Sequence, residues 1–569
     1  MTIVLPKELK GFRFPQAIPF EMNDFHIETI WPQVFRLAVL DGRDSSRGSS
    51  EQADIASSVR SLTSHDRVMG FNNPSAQLLA DKIVRSSLVR TARTLKTKVI
   101  QIDSLIPYSI TSFKAGFPTN AAGFRQVDRF LFELFLENLK GDPTEVRRFF
   151  VDVFGAGVQV KGFPTPSVNR KPGEFPDLDV ITELSIDFID HFDMSQPKRV
   201  SLSYRFADPL PKFQMALGVD LHRFVCSYRD KLSAPTLIEQ LTALLGFELL
   251  VWSSKVFVAL PALAATPDFL PPAMDVGHFA VTLPEIFVDM TQQGKTLSRA
   301  MSVACIARDQ QMIDPFVRAV LRLRYIDSIV EKMKRNPSLN KRLDEVDGSE
   351  TTSMKLRFFA MLPEDIQFEA RFEAEIGTDL DRIVSMNRGA ADPEEGAPMT
   401  EVDTLLKRLQ REQRSLLDQL VEVLFIAQAT KIRQSQIGGW IRMVSGVGTP
   451  WGLINGLSDR RSWSYAPGND LLMVLVQLCA IDRPDWDADT NSSPQRFGLQ
   501  HFLDWLERRF GILVDRPPAD LGFDSPEHMA AARENLQAML RRLRQMGIFE
   551  DRSDDFSVQK LTPPFMDQA

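Results

Sequence analysis

Cysteine is nearly absent: Cys226, Cys305 and Cys479 are far apart in a chain of 569 residues and sit in apolar surroundings. They read as small buried hydrophobes in a reducing compartment, which excludes a disulfide framework. The seven histidines never form a His-x3-His pair and never neighbour paired cysteines, so no zinc site is indicated. Neither sign of charge dominates. The net charge of −7 argues against wholesale nucleic-acid coating, but it leaves local basic patches open.

Long hydrophobic runs are also missing. None reaches the roughly 18–20 residues that a membrane span needs. Residues 241–260 are broken by Ser253-Ser254-Lys255, and residues 437–457 by Arg442, Pro450 and a set of glycines that reads as a tightly packed turn. No basic segment precedes an apolar core in residues 1–10, so a signal peptide is not expected and the cytoplasm is the expected location. Neither a Gly-x-Ser-x-Gly elbow nor a recognisable cysteine nucleophile is present. No cofactor is expected.

What remains is an ordinary globular composition, too long for one core. The expected class is α+β, mainly helical and multidomain. The divisions read as 1–115, with a basic helix; 116–335, a central α+β domain; 356–435, a strand segment and a long helical spine; and 436–569. Segments 335–353 and 387–399 read as linkers. Within the central domain, 158–160, 180–188 and 199–205 read as strands, 237–245 as a helix, and 247–252 with 256–260 as a hairpin. Thr400, with Asp403 three residues on, opens a long helix, about 50 Å in length if it runs to Arg433.

Four places invite chemistry. Residues 73–99 read as a helix with Val84, Leu88, Ala92 and Leu95 on one face and Lys82, Arg85, Arg90, Arg93 and Lys96 opposite, a stripe fit for a phosphate backbone or simply a solvated face. Gly294-Lys295-Thr296 lies between a strand-like run and a helix. Asp289, however, stands where a phosphate loop needs its first glycine, and a polar loop is the better reading. Asp177, Asp179, Asp187, Asp190, His191 and Asp193 offer ligands for a hard divalent ion, without the Glu-x-Lys strand of restriction-type nucleases; a half-exposed surface is the plainer reading. Further on, Lys431, Arg433, Arg442, Arg460 and Arg461 are interleaved with Trp440, Trp451, Trp463 and Tyr465. That chemistry stacks bases, although tryptophans at this density also build cores.

The last hundred residues carry the clearest pattern. Asn469-Asp470 opens an apolar helix, residues 500–509 form an amphipathic one closed by Gly511, and Ser525-Pro526 opens a long one stopped by Gly547. On the last helix Met529, Ala532, Leu536, Leu540 and Leu543 form an apolar stripe beside Arg533, Gln537, Arg541 and Arg544. A two-strand ribbon follows. The order resembles a winged helix-turn-helix domain, and residues 540–549 are similar to the recognition-helix-to-wing junction of bacterial winged-helix regulators. That resemblance implies groove contacts from Arg533, Arg541 and Arg544 to double-stranded DNA. The acidic tip Glu550-Asp551-Arg552-Ser553-Asp554-Asp555 departs from it and favours a protein partner there.

Trp463-x-Tyr465, Asn469-Asp470-Leu471-Leu472, Phe502-Leu503-x-Trp505-Leu506 and Phe510-Gly511-Ile512, in a large chain without enzymatic motifs, resemble accessory components of bacterial anti-phage operons of methylation-associated or BREX-like type. The resemblance implies a methyltransferase, an ATPase and a nuclease as partners, with no membrane. Three functions follow as expectations: a non-catalytic DNA-interacting or scaffolding subunit, a divergent metal-dependent nuclease using residues 177–193, or a protein-binding adaptor or winged-helix regulator.

Overall fold

The computed structural model describes residues 3–25, 27–45, 73–86, 88–95, 98–105, 108–113, 125–172, 178, 182, 186, 197–198, 211–265, 285–337, 340–341, 362–364, 368–388, 400–457, 460–550 and 559–566. It is mainly helical, with short strands.

The hub is one helix, Ala234–Ala265. It packs against helices Pro211–Tyr228, Ile313–Met333, Gly438–Val444 and Asn469–Ile481. The hairpin expected at 247–260 is therefore overturned. The serines that look like a break stay helical because the Ser253 Oγ donates to the Leu249 carbonyl (2.6 Å) and the Ser254 Oγ to the Leu250 carbonyl (3.1 Å). This segment is also the one described helix long and apolar enough to cross a membrane, and 89% of its apolar window is buried inside the protein. Phe20 sits between Trp252 and Trp440 at 4.8 and 4.9 Å, tying the N-terminal segment to the hub.

Three further readings are corrected. Residues 73–99 are not one helix: helix Pro74–Ser86 gives way to strand Leu88–Leu95, antiparallel to Lys98–Leu105. Positions 88, 92 and 95 fit a helical period, but a partner strand with matching register supplies the backbone bonds. The spine from Thr400 is not continuous. Helix Glu401–Arg411 starts with the expected Thr400/Asp403 capping box, and a turn at Gln413 with positive φ separates it from Leu416–Lys431, which Ser415 caps anew. Within 180–188 the two described residues, Thr182 and Ile186, are helical. The strand at Val158–Lys161 is present, paired with Ser167–Arg170.

In the C-terminal region the helices are Asn469–Ile481, Leu499–Phe510 and Pro526–Gln545, and Gly511 (φ 69°) and Gly547 (φ 71°) hold the expected left-handed stops. Lys560–Leu561 pairs antiparallel with Phe549–Glu550 and also with Phe497–Gly498, a strand the sequence does not advertise. A separate parallel pair joins Ile512–Leu513 to Ile286–Phe287, so this region is hydrogen-bonded into the central one.

The join is also ionic. Arg509 contacts both Asp220 on Pro211–Tyr228 and Asp482, and Arg223 reaches the other Asp482 oxygen at 2.9 Å. Burial raises the Asp220 pKa against the pull of Arg509. Burial alone would raise Asp482 too, but Arg509, the Trp505 indole N–H and Arg223 hold it below the usual carboxylate value. At the entry to this region the backbone crosses itself closely: an added Cβ would lie 1.9 Å from the Gly446 carbonyl oxygen at Gly452, and 1.8 Å from the Pro450 carbonyl oxygen at Gly468.

Candidate nucleic-acid interface

Helix Pro526–Gln545 is positioned by its apolar stripe. Ala532, Leu536, Leu540 and Leu543 are buried, whereas Met529 at the end of the expected stripe is exposed. The opposite side is open. Arg533, Gln537, Arg541 and Arg544 are all exposed, and at about 100° per residue they fall within about 80° of one another. From Arg533 to Arg544 the face runs about 16 Å at 1.5 Å per residue. No acidic residue lies between Asn535 and Gln545, and the exposed positions there are Gln537, Arg541, Arg544 and Gln545. The Arg544 guanidinium stacks over the Phe549 ring (5.2 Å), which orients it at the edge of the sheet.

Arg542, one position from Arg541, behaves differently. It donates to the Pro467 carbonyl and to Asn469 Oδ1, both at 2.7 Å, and burial lowers its pKa. Two neighbouring arginines thus divide: Arg541 faces solvent and Arg542 clamps the helix to the start of Asn469–Ile481. The helix is also pinned by Asn535, which is fully buried. Its Nδ2 donates to the Val288 and Val514 carbonyls, both at 2.9 Å. Neither Arg542 nor Asn535 stands out in the sequence.

The 431–461 cluster is divided as well. Trp440, Trp463 and Tyr465 are buried and Trp451 is half-buried, so the base-stacking platform expected there is replaced by core packing. Arg460 donates to the carbonyls of Arg433 (3.3 Å) and Gln434 (3.1 Å), closing the π-helical turn Ile432–Ile437. Arg433 pairs with Asp314 at 3.1 Å. Lys431, Arg442 and Arg461 are exposed. Of the first basic set, Lys82 is exposed on Pro74–Ser86, where Arg85 also lies. Arg90 and Arg93 are on strand Leu88–Leu95, and Lys96 is outside the described residues. The basic set is divided between a helix and a strand, so the single helical stripe does not form.

The Gly294-Lys295-Thr296 segment does join a strand, Ile286–Phe287, to a helix, Leu297–Gln311, that Thr296 caps. Asp289 fills the loop: its carboxylate accepts from the Thr291 amide (3.0 Å) and hydroxyl (2.6 Å). Asp177, Asp179, Asp187, Asp190, His191, Asp193 and the acidic tip 551–555 lie outside the described residues. Among the described residues no group of three or more His, Cys, Asp or Glu is placed to hold a metal ion.

The family model for "Methylation-associated defense system protein MAD7" matches residues 7–565, and the chain belongs to that family. No curated protein and no solved structure matches it.

Proposed function

We propose that this defense-system protein is a non-catalytic subunit that contacts double-stranded DNA through a C-terminal winged helix and scaffolds the other proteins of its system, with a methyltransferase, an ATPase and a nuclease as the partners, in the cytoplasm. The observation that carries the reading is the exposed face Arg533–Gln537–Arg541–Arg544 on a helix whose other side is buried. Its setting supports the winged-helix assignment. The order is helix, strand, helix, strand, helix, strand, strand; Ile512–Leu513 pairs outside the sheet with Ile286–Phe287, and of the three strands in the sheet the last lies between the other two. Lys82, Lys431, Arg442 and Arg461 add exposed positive charge for backbone contacts.

The test is the salt dependence of binding to a short duplex, measured by fluorescence anisotropy. Each arginine that neutralises a phosphate contributes about 0.9 to the slope of log affinity against log salt, so Arg541→Ala with Arg544→Ala lowers the slope by roughly 1.8. An unchanged slope and affinity would remove DNA contact through this helix. The second reading, a protein-binding adaptor, is favoured by the acidic run after Phe549. It predicts no duplex binding at low salt together with co-purification of a protein encoded in the same system.

A further inference from the structure

A cleft of about 470 Å³ opens between the end of the hub helix, helix Ile313–Met333 and the pair Glu401–Arg411 and Leu416–Lys431. Its size falls within the range of small-molecule sites. The floor is apolar, with Pro261, Ala319 and Val421, and the walls carry four guanidiniums, Arg318, Arg322, Arg408 and Arg414, against three carboxylates, Glu412, Asp418 and Glu422.

The arginines are not equally satisfied. Arg318 is bidentate to Glu422 (2.8 and 3.1 Å) and lies 3.6 Å over the Phe425 ring. Arg322 donates to Asp418 at 2.6 Å, yet its Nε is buried without an acceptor. Arg408 and Arg414 both turn to the single carboxylate of Glu412, each at 3.8 Å, beyond hydrogen-bond length. Their side chains are 62% and 60% exposed at the mouth. The turn at Gln413, with positive φ, brings these two together from either side of Glu412. The cleft therefore holds two guanidinium forks sharing one weak partner, an orphaned buried donor on the wall, and an oily base.

We propose that this cleft is a nucleotide-binding site, with the phosphates held by Arg408 and Arg414 and the base laid on the apolar floor. A phosphate supplies the acceptors that two planar forks prefer, and bidentate pairing fixes it more firmly than a shared carboxylate does. Asp418 and Glu422, on helix Leu416–Lys431 beside Arg414, accept from ribose hydroxyls. The site is separate from the terminal helix, so it stands whether or not that helix meets DNA.

Isothermal titration of the full chain with ATP, AMP and adenosine tests it. ATP and AMP bind at ligand concentrations below about 1 mM and adenosine does not. Arg408→Glu with Arg414→Glu weakens ATP by at least about tenfold, Arg414→Gln by less, and neither changes the melting temperature or duplex affinity. The proposal is overturned if neither nucleotide gives heat, if adenosine binds as well as ATP, or if the double variant keeps wild-type affinity while folded.

Discussion

The side-chain oxygen of Asn535 accepts the backbone amide of Met290 at 2.7 Å, across 245 positions of sequence. With the two bonds that its Nδ2 donates, this one amide satisfies backbone groups from two separate segments. Asn535→Leu keeps the volume and strands an amide and two carbonyls in the interior. At about 1–3 kcal/mol for each buried group left unmade, the cost is at least about 3 kcal/mol. Hydrogen exchange across 526–545 should quicken well before the hub helix does. Unchanged protection there would mean that Asn535 is not the pin.

Arg509 makes a similar prediction in ionic form. Arg509→Met removes the ion-pair partner of buried Asp220 and leaves Asp482 with Arg223 alone, which costs about 3–5 kcal/mol. Adding Asp220→Asn and Asp482→Asn should recover part of the melting temperature. A single variant as stable as wild type would show that the cluster is not coupled to folding.

Asp327 provides a pH test. Burial raises its pKa to about 6 while its Oδ2 accepts the Gln16 amide at 2.8 Å. A carboxyl raised in the folded state binds more protons than the unfolded chain between its ordinary value, 3.8, and about 6. Stability is therefore lost as pH climbs through that window. Asp327→Asn keeps an acceptor for Gln16 and removes the titration. Its melting temperature should match wild type near pH 4 and exceed it above pH 6, by an amount equivalent to about 3 kcal/mol at about 1.4 kcal/mol per pKa unit. A difference that does not vary with pH would reject this account.

Arg541 and Arg542 should separate binding from stability. Arg541→Ala lowers duplex affinity with little change in melting temperature. Arg542→Ala loses the clamp on Pro467 and Asn469 and lowers the melting temperature, with no loss of salt slope. The reverse result would exchange their roles.

Local signals in the sequence proved readable. Thr400 and Asp403 form their box, and Gly511 and Gly547 end their helices, because caps and stops depend on a few adjacent residues. The family resemblance, drawn from the last hundred residues, agrees with a match that extends over nearly the whole chain. The failures share a cause in long-range partners. Leu88–Leu95 is a strand because Lys98–Leu105 pairs with it, and a helical period cannot report that. The two-residue strand Phe497–Gly498 is too short to show alternation. Arg509 and the exposed Arg508 look alike in the sequence, and the carboxylates of Asp220 and Asp482, brought in from other elements, distinguish them. Within the candidate interface, the Arg533, Arg541 and Arg544 face could be anticipated from period alone; the Arg542 clamp and the Asn535 pin could not.

The crossing at Gly452 and Gly468 limits how loss-of-function variants in this chain can be interpreted. At both positions a methyl group would collide with main-chain oxygen, and no rotamer change nearby can relieve that. Any larger residue there forces the peptide planes apart just ahead of Asn469–Ile481. A defect in protection caused by such a substitution therefore reports a chain that failed to close. It carries no information about which surface meets a partner, so mapping should use the solvent-facing arginines.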